Sequence, residues 1–172
     1  ALMLLFGWLG IILAEKGGFK MPILKKFENG EKILKSDYKI LLIPCILGFA
    51  FAIITYLTSF FVDVPKNPGN IFVRILTTPW AGLVTETVSH LFVVSAIYLL
   101  IKNRWISIIL SSLLFVVLFH LNGMDYEVSV AVILVSANFL ASVLTGWIYS
   151  KYGYESAVLA HASMHLVMLT LN

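Results

Sequence analysis

The sequence predicts an all-α fold: a polytopic transmembrane helix bundle of about six spans, forming a single domain over residues 1–172. Three observations predict it. Hydrophobic residues make up 60% of the chain and charged residues 12%, with a mean hydropathy of +0.95, more apolar surface than a soluble domain of this length can bury. The apolar residues fall in runs close to the roughly 20 that cross a bilayer as a helix. Ten of the twelve basic residues fall on one side of those runs.

The first run, residues 1–14, lacks a basic leading region and so does not read as an intact signal peptide. Because it begins with Ala, the chain reads as a fragment or a processed piece. Residues 15–39 follow as a basic segment with Lys16, Lys20, Lys25, Lys26, Lys32, Lys35 and Lys39. Apolar side chains such as Phe19, Ile23, Phe27 and Leu34 interleave with these lysines, so the segment is either a solvated loop or an interfacial helix on an anionic leaflet, broken at Asn29-Gly30. Further apolar runs cover about 40–62, 76–101, 105–121, 128–149 and 156–171. Residues 63–74, with Pro65, Pro68 and Gly69, read as an irregular connection. The motif-bearing core is residues 76–171.

Charge orients the bundle. Lys102, Arg104 and Lys151 join the 15–39 lysines on one side, whereas Lys66 and Arg74 lie on the other, which places loops 15–39, 102–104 and 150–155 in the cytoplasm. The pI near 9.0 reflects this loop chemistry and points to no nucleic-acid partner. The one cysteine, Cys45, lies within an apolar run and reads as a small buried hydrophobe, with no disulfide framework.

Chemistry is concentrated in a few ionisable residues inside the runs. Glu86 and His90 are four apart on one predicted helix, His161 and His165 four apart on another, and His120 ends the run between them. Ionisable groups are costly in hydrocarbon, so their presence there points to function. A buried Glu suits proton exchange. The HxxxH spacing of His161 and His165 turns two imidazoles toward one point, a geometry that binds Zn and other first-row metals. A divalent metal could therefore be held by Glu86, His90, His120, His161 and His165, and a haem by two opposed histidines. Along straight helices Glu86 and His120 lie about 22 Å from the cytoplasmic ends, deeper than His161 and His165, so convergence requires tilt or displacement.

Other polar residues have plainer readings. Ser89 and Ser163 show no base placed to make them nucleophiles. Asn138 reads as a hydrogen bond across helices, and Gly146 as a site of close packing. Trp8, Trp80, Trp105 and Trp147 read as interfacial anchors.

The stretches Ala141–Tyr149 and Gly153–Ala162 resemble the C-terminal half of the CPBP intramembrane proteases (CAAX proteases and bacteriocin-processing enzymes, or Abi), which include the type II CAAX prenyl endopeptidases. That family carries EExxxR, FxxxH and HxxxN motifs on separate helices, and their order and approximate spacing recur across residues 79–170. By this resemblance His120 takes the second motif's histidine, with Val116 in place of its phenylalanine. His161 takes the third motif's histidine, and His165 stands where asparagine is usual. Thr85 falls at the first glutamate, Glu86 at the second and His90 at the arginine. Shifting by one makes Glu86 the first glutamate but leaves Leu91 at the arginine.

The resemblance implies an intramembrane endopeptidase in the plasma membrane of a prokaryote, cutting a hydrophobic or prenylated peptide at the bilayer. Glu86 with His120 would deprotonate water, and His161 and His165 would stabilise the oxyanion. Since His90 and His165 can ligate metal where arginine cannot, a metal-assisted metalloprotease route stays open, with Zn as the model cofactor. Thr85 at the first glutamate keeps a second reading open, an inactive scaffold that binds membrane peptides. The third is a metal- or haem-binding membrane protein.

Overall fold

The computed structural model describes residues 2–59, 71–119 and 127–171. In order these form α1 (Leu2–Lys16), α2 (Pro22–Glu28), α3 (Lys35–Ser59), α4 (Ile71–Glu86), a π-helical segment (Thr87–Val94), α5 (Ser95–Ile101), α6 (Arg104–Phe119), α7 (Val128–Tyr152) and α8 (Tyr154–Leu171). The π segment joins α4 and α5 into one rod, so the described residues make seven helices, the all-α fold expected. His120 lies outside them. So does the outer connection as far as residue 70, while residues 71–74 are helical rather than irregular.

The local signals that stop and start these helices lie in the sequence. α1 ends where Gly18 takes φ +67°, with Phe19 N–H donating to the Ala14 carbonyl at 2.9 Å and Gly18 N–H to that of Glu15 at 3.1 Å. These bonds satisfy carbonyls that a helix end otherwise leaves open. α2 begins on Pro22, whose missing N–H costs nothing in a first turn, and stops at Asn29-Gly30 by the same device. At the start of α3, the Asp37 carboxylate accepts the Leu34 N–H at 2.7 Å and pairs with Lys26 Nζ at 2.8 Å. The Lys26 contact, then the Leu34 N–H, hold the Asp37 carboxyl below its ordinary range.

α8 is the central helix, packed against α3, α4 and α7, while the π segment packs against α1, α6 and α7. Small residues permit this. A methyl group at Gly48 would run into the Ala160 backbone, and one at Gly82 would meet Val158 O at 3.1 Å and Ala162 N at 3.2 Å. Close backbone approach of this kind is the usual means of helix association in membranes.

The loops expected to share one side do meet. Tyr154 N–H donates to the Lys20 carbonyl at 3.0 Å, Leu24 N–H donates to Glu155 Oε1 at 2.6 Å, and the Arg104 guanidinium lies 5.3 Å from the Phe19 ring centre and donates to the Ser150 carbonyl at 3.4 Å. Thus 15–39, 102–104 and 150–155 form one end of the bundle.

Segments Ile40–Leu57, Ile75–Ile101 and Val130–Tyr152 are long and apolar enough to cross a membrane. Only 17%, 39% and 22% of these windows is buried within the protein, leaving apolar side chains such as Leu42, Ile46, Ile53 and Leu57 on the outside, where lipid can cover them. Among the described residues three helices meet this measure, against the six runs of the sequence.

Candidate functional site

The site is built on the π segment. A π turn shifts the backbone bonding pattern and frees carbonyls that must find other donors. Hydroxyls coded nearby supply them. Thr87 Oγ1 donates to the Leu83 carbonyl and Ser89 Oγ to that of Thr85, each at 2.6 Å. Ser111 Oγ, from α6, donates to the Ser89 carbonyl at 2.6 Å, and the Tyr154 hydroxyl bonds Thr87 Oγ1 at 2.6 Å. No sequence pattern announced the π turn, although the run Thr85, Thr87, Ser89 is the feature that supports it.

Glu86 ends α4 at the mouth of this segment, with its side chain fully buried. Its carboxylate joins two helices. Oε1 accepts from His161 Nδ1 of α8 at 2.6 Å, and Oε2 lies 2.6 Å from His90 Nδ1. The second contact is an ion-pair distance without the angle of a hydrogen bond, so Oε2 has proximity to His90 but no well-formed bond. His90 Nε2–H donates to the Ser142 carbonyl of α7 at 3.1 Å, and Nδ1 also lies 3.1 Å from Ser89 Oγ. Since Ser89 spends its own proton on Thr85, the His90 ring meets acceptors on both sides.

His161 Nε2 lies 3.0 Å from His165 Nε2. The two rings are near-parallel, with 10° between their planes and centres 4.9 Å apart. One nitrogen of that contact carries the shared proton. A chain Glu86–His161–His165 therefore runs from a buried carboxylate to a pair of imidazoles. The depth mismatch expected from straight helices does not keep them apart, because Gly48 and Gly82 let α8 sit between α3 and α4.

A cavity of about 310 Å³ opens beside this chain, bordered by Thr85, Glu86, His90, Asn138, Ser142, Thr145, His161 and His165 together with apolar residues of α4, α6 and α7. His161 is 15% exposed, whereas Glu86 is 0% and His90 1%, so the histidine end of the chain faces the cavity and the carboxylate stands behind it. A second cavity, about 140 Å³ and walled by α3, α7 and α8, shares Asn138, Ala141, His161 and His165 with the first.

Of the expected site residues, Thr85, Glu86, His90, His161 and His165 come together. His120 lies outside the described residues. Two readings change. Among the described residues Asn138 makes no bond across helices: its Nδ2 donates to the Leu134 carbonyl of its own helix at 2.8 Å, and the residue borders both cavities. Ser89 does stand beside a base, His90, but its hydroxyl is turned to its own helix. Gly146 packs closely, as expected, and against the site itself: a methyl group there would lie 2.9 Å from His90 Nε2.

The described donors, which leave out His120, are arranged in pairs. His161 Nδ1 bonds one carboxylate oxygen, His90 Nδ1 lies 2.6 Å from the other, and the Nε2 atoms of α8 meet each other, so the donors sit in pairs. Among the described residues no group of three or more His, Cys, Asp or Glu converges as ligands would. Both nitrogens of His161 are engaged within the chain. His165 keeps its Nδ1 edge.

Residues 67–167 match the protein family described as type II CAAX prenyl endopeptidase, Rce1-like. The match takes in α4, the π segment and most of α8, and with them every described residue of the constellation. No curated protein matches the chain, and no solved structure does.

Proposed function

Since the chain belongs to the Rce1-like family of type II CAAX prenyl endopeptidases, we propose that it is an intramembrane endopeptidase that hydrolyses a hydrophobic or prenylated peptide at the membrane. The observation that carries this reading is the buried Glu86 carboxylate, bonded to His161 and through it to His165 at a cavity wall. A water in the cavity meets the histidine end of this chain. A proton withdrawn there is balanced by the negative charge at the buried end, the role a carboxylate plays behind a catalytic imidazole. His90, tied to the Ser142 carbonyl, lies 2.6 Å from the other carboxylate oxygen and limits where Glu86 can stand. His120 remains part of this proposal as a second base. α1, α6 and α8 would complete a six-span bundle beside the three long helices, with the basic loops 15–39, 102–104 and 150–155 toward the cytoplasm of a prokaryote.

The test is cleavage of a farnesylated reporter peptide by the full chain in lipid nanodiscs. Glu86→Gln keeps an oxygen to accept the His161 N–H but removes the charge, and should lower kcat by about 10²–10⁴-fold. Full activity in that variant would remove Glu86 from the mechanism. The same assay with a chelator separates the routes: unchanged activity fits the paired donors, and reversible loss would restore the metal route.

A second reading rests on Thr85. At a cavity-wall position where the family's first glutamate is expected stands a hydroxyl, which fits an inactive relative that binds peptides without cutting them. Binding of the reporter without cleavage would select it.

A further inference from the structure

The histidines leave one need of a bound peptide unmet. A peptide entering the cavity must hydrogen-bond its backbone amides, because a bare amide in apolar surroundings is costly. The His161 nitrogens are spent within the chain, and most of the cavity lining is apolar.

α7 presents what is missing. Asn138 and Ser142 are one turn apart, so they share a helix face, and both border the cavity. Asn138 uses one Nδ2–H on the Leu134 carbonyl. A side-chain amide has two such protons and a carbonyl oxygen, so further capacity remains. Ser142 is 5% exposed, and its Oγ is a buried hydroxyl with no hydrogen-bond partner. Few buried polar groups are left in that state, and one at a cavity wall calls for an explanation. Its backbone is already employed: the Ser142 carbonyl accepts from His90 Nε2. The residue that anchors His90 thus also carries an unpartnered hydroxyl just behind the cavity wall, within a side-chain rotation of an occupant.

We propose that Asn138 and Ser142 form the peptide-backbone subsite of this cavity, hydrogen-bonding one amide of a bound extended peptide and fixing its register against the Glu86–His161–His165 chain. This rests on the peptidase reading but concerns binding, so the two can fail separately. The occupant is a peptide rather than a free lipid, because an amide and a hydroxyl one turn apart can engage both the N–H and the C=O of one backbone amide. An acyl or isoprenoid chain offers neither.

The experiment measures affinity in nanodiscs for a short peptide with a farnesylated cysteine, and for its analogue with one backbone amide replaced by an ester. The full chain carrying Glu86→Gln is used so that neither probe is consumed. The amide peptide should bind about tenfold tighter than the ester, the worth of one well-made hydrogen bond. Adding Ser142→Ala or Asn138→Leu should abolish that preference. Ser142→Ala deletes only the orphan hydroxyl and covers the case in which Asn138→Leu fails to fold. An amide preference that persists in both variants overturns the subsite, as does absence of binding by either probe. Wild-type cleavage, scored in parallel, then shows whether the peptidase reading stands by itself.

Discussion

Replacing Gly146 with alanine probes the site through its packing, without touching an ionisable group. The added methyl would stand 2.7 Å from Ile108 Cγ2 and 2.9 Å from His90 Nε2. Ordinary contacts between such atoms are about 3.5–4.0 Å, so each neighbour must retreat by roughly 0.6–1 Å. His90 cannot do so freely, because its ring is held between the Ser142 carbonyl at 3.1 Å and Glu86 Oε2 at 2.6 Å. Overpacking of this kind costs about 1–3 kcal/mol, offset by about 1 kcal/mol from the better helix propensity of alanine. The net loss of stability should be about 1 kcal/mol. Activity should fall further in proportion, by up to about 10²-fold, because a displacement near 1 Å in a catalytic constellation has that effect. Gly7→Ala is the matched control: its methyl meets only Thr87 Cγ2, at 3.7 Å, an ordinary contact. Reporter cleavage in nanodiscs and unfolding by titration with a denaturing detergent measure the two quantities. If Gly146→Ala is as active and as stable as Gly7→Ala, close packing against His90 does not position Glu86, and the reasoning fails.

Two further predictions concern the frame. Ser111→Ala removes the cross-helix donor to the Ser89 carbonyl of the π segment and should cost about 0.5–1.5 kcal/mol in the same unfolding titration, the net worth of one hydrogen bond; no loss would show that this bond does not hold the segment. For Asp37 the lowered carboxyl means that folding favours its charged form. Its contribution is present above the unfolded value of about 3.9 and is lost as pH falls through the lower folded one. Asp37→Asn should accordingly be less stable than wild type near pH 7 and equal to it at strongly acid pH; a constant gap in thermal unfolding across that range would contradict the Lys26 contact.

Much of this was legible in residue order. Six apolar runs became helices, the Asn29-Gly30 break fell where the local chemistry put it, and the lysine-rich loops gathered at one end. Glu86 and the His161–His165 pair stood out because ionisable groups are rare among apolar neighbours. Less was legible where the outcome depends on bonds between helices. The π turn is held by Ser111 and Tyr154, which are distant in sequence, so periodicity within residues 87–94 could not reveal it. Asn138 looked like helix-to-helix glue because a mid-membrane amide usually is; only the shape of the cavity shows what it faces.

By itself the sequence determined the class of the protein and the inventory of its chemistry, since composition and local spacing fix which segments become apolar helices and which carry ionisable groups. Tertiary structure alone decided how that inventory is wired. It set Glu86 between His90 and His161, turned the imidazole nitrogens toward partners instead of a common centre, and left the Ser142 hydroxyl unpartnered just behind the cavity wall. The physical reason is that hydrogen-bond partners and burial are set by how α4, α7 and α8 approach, and small residues such as Gly48, Gly82 and Gly146 fix that approach only once the helices have met.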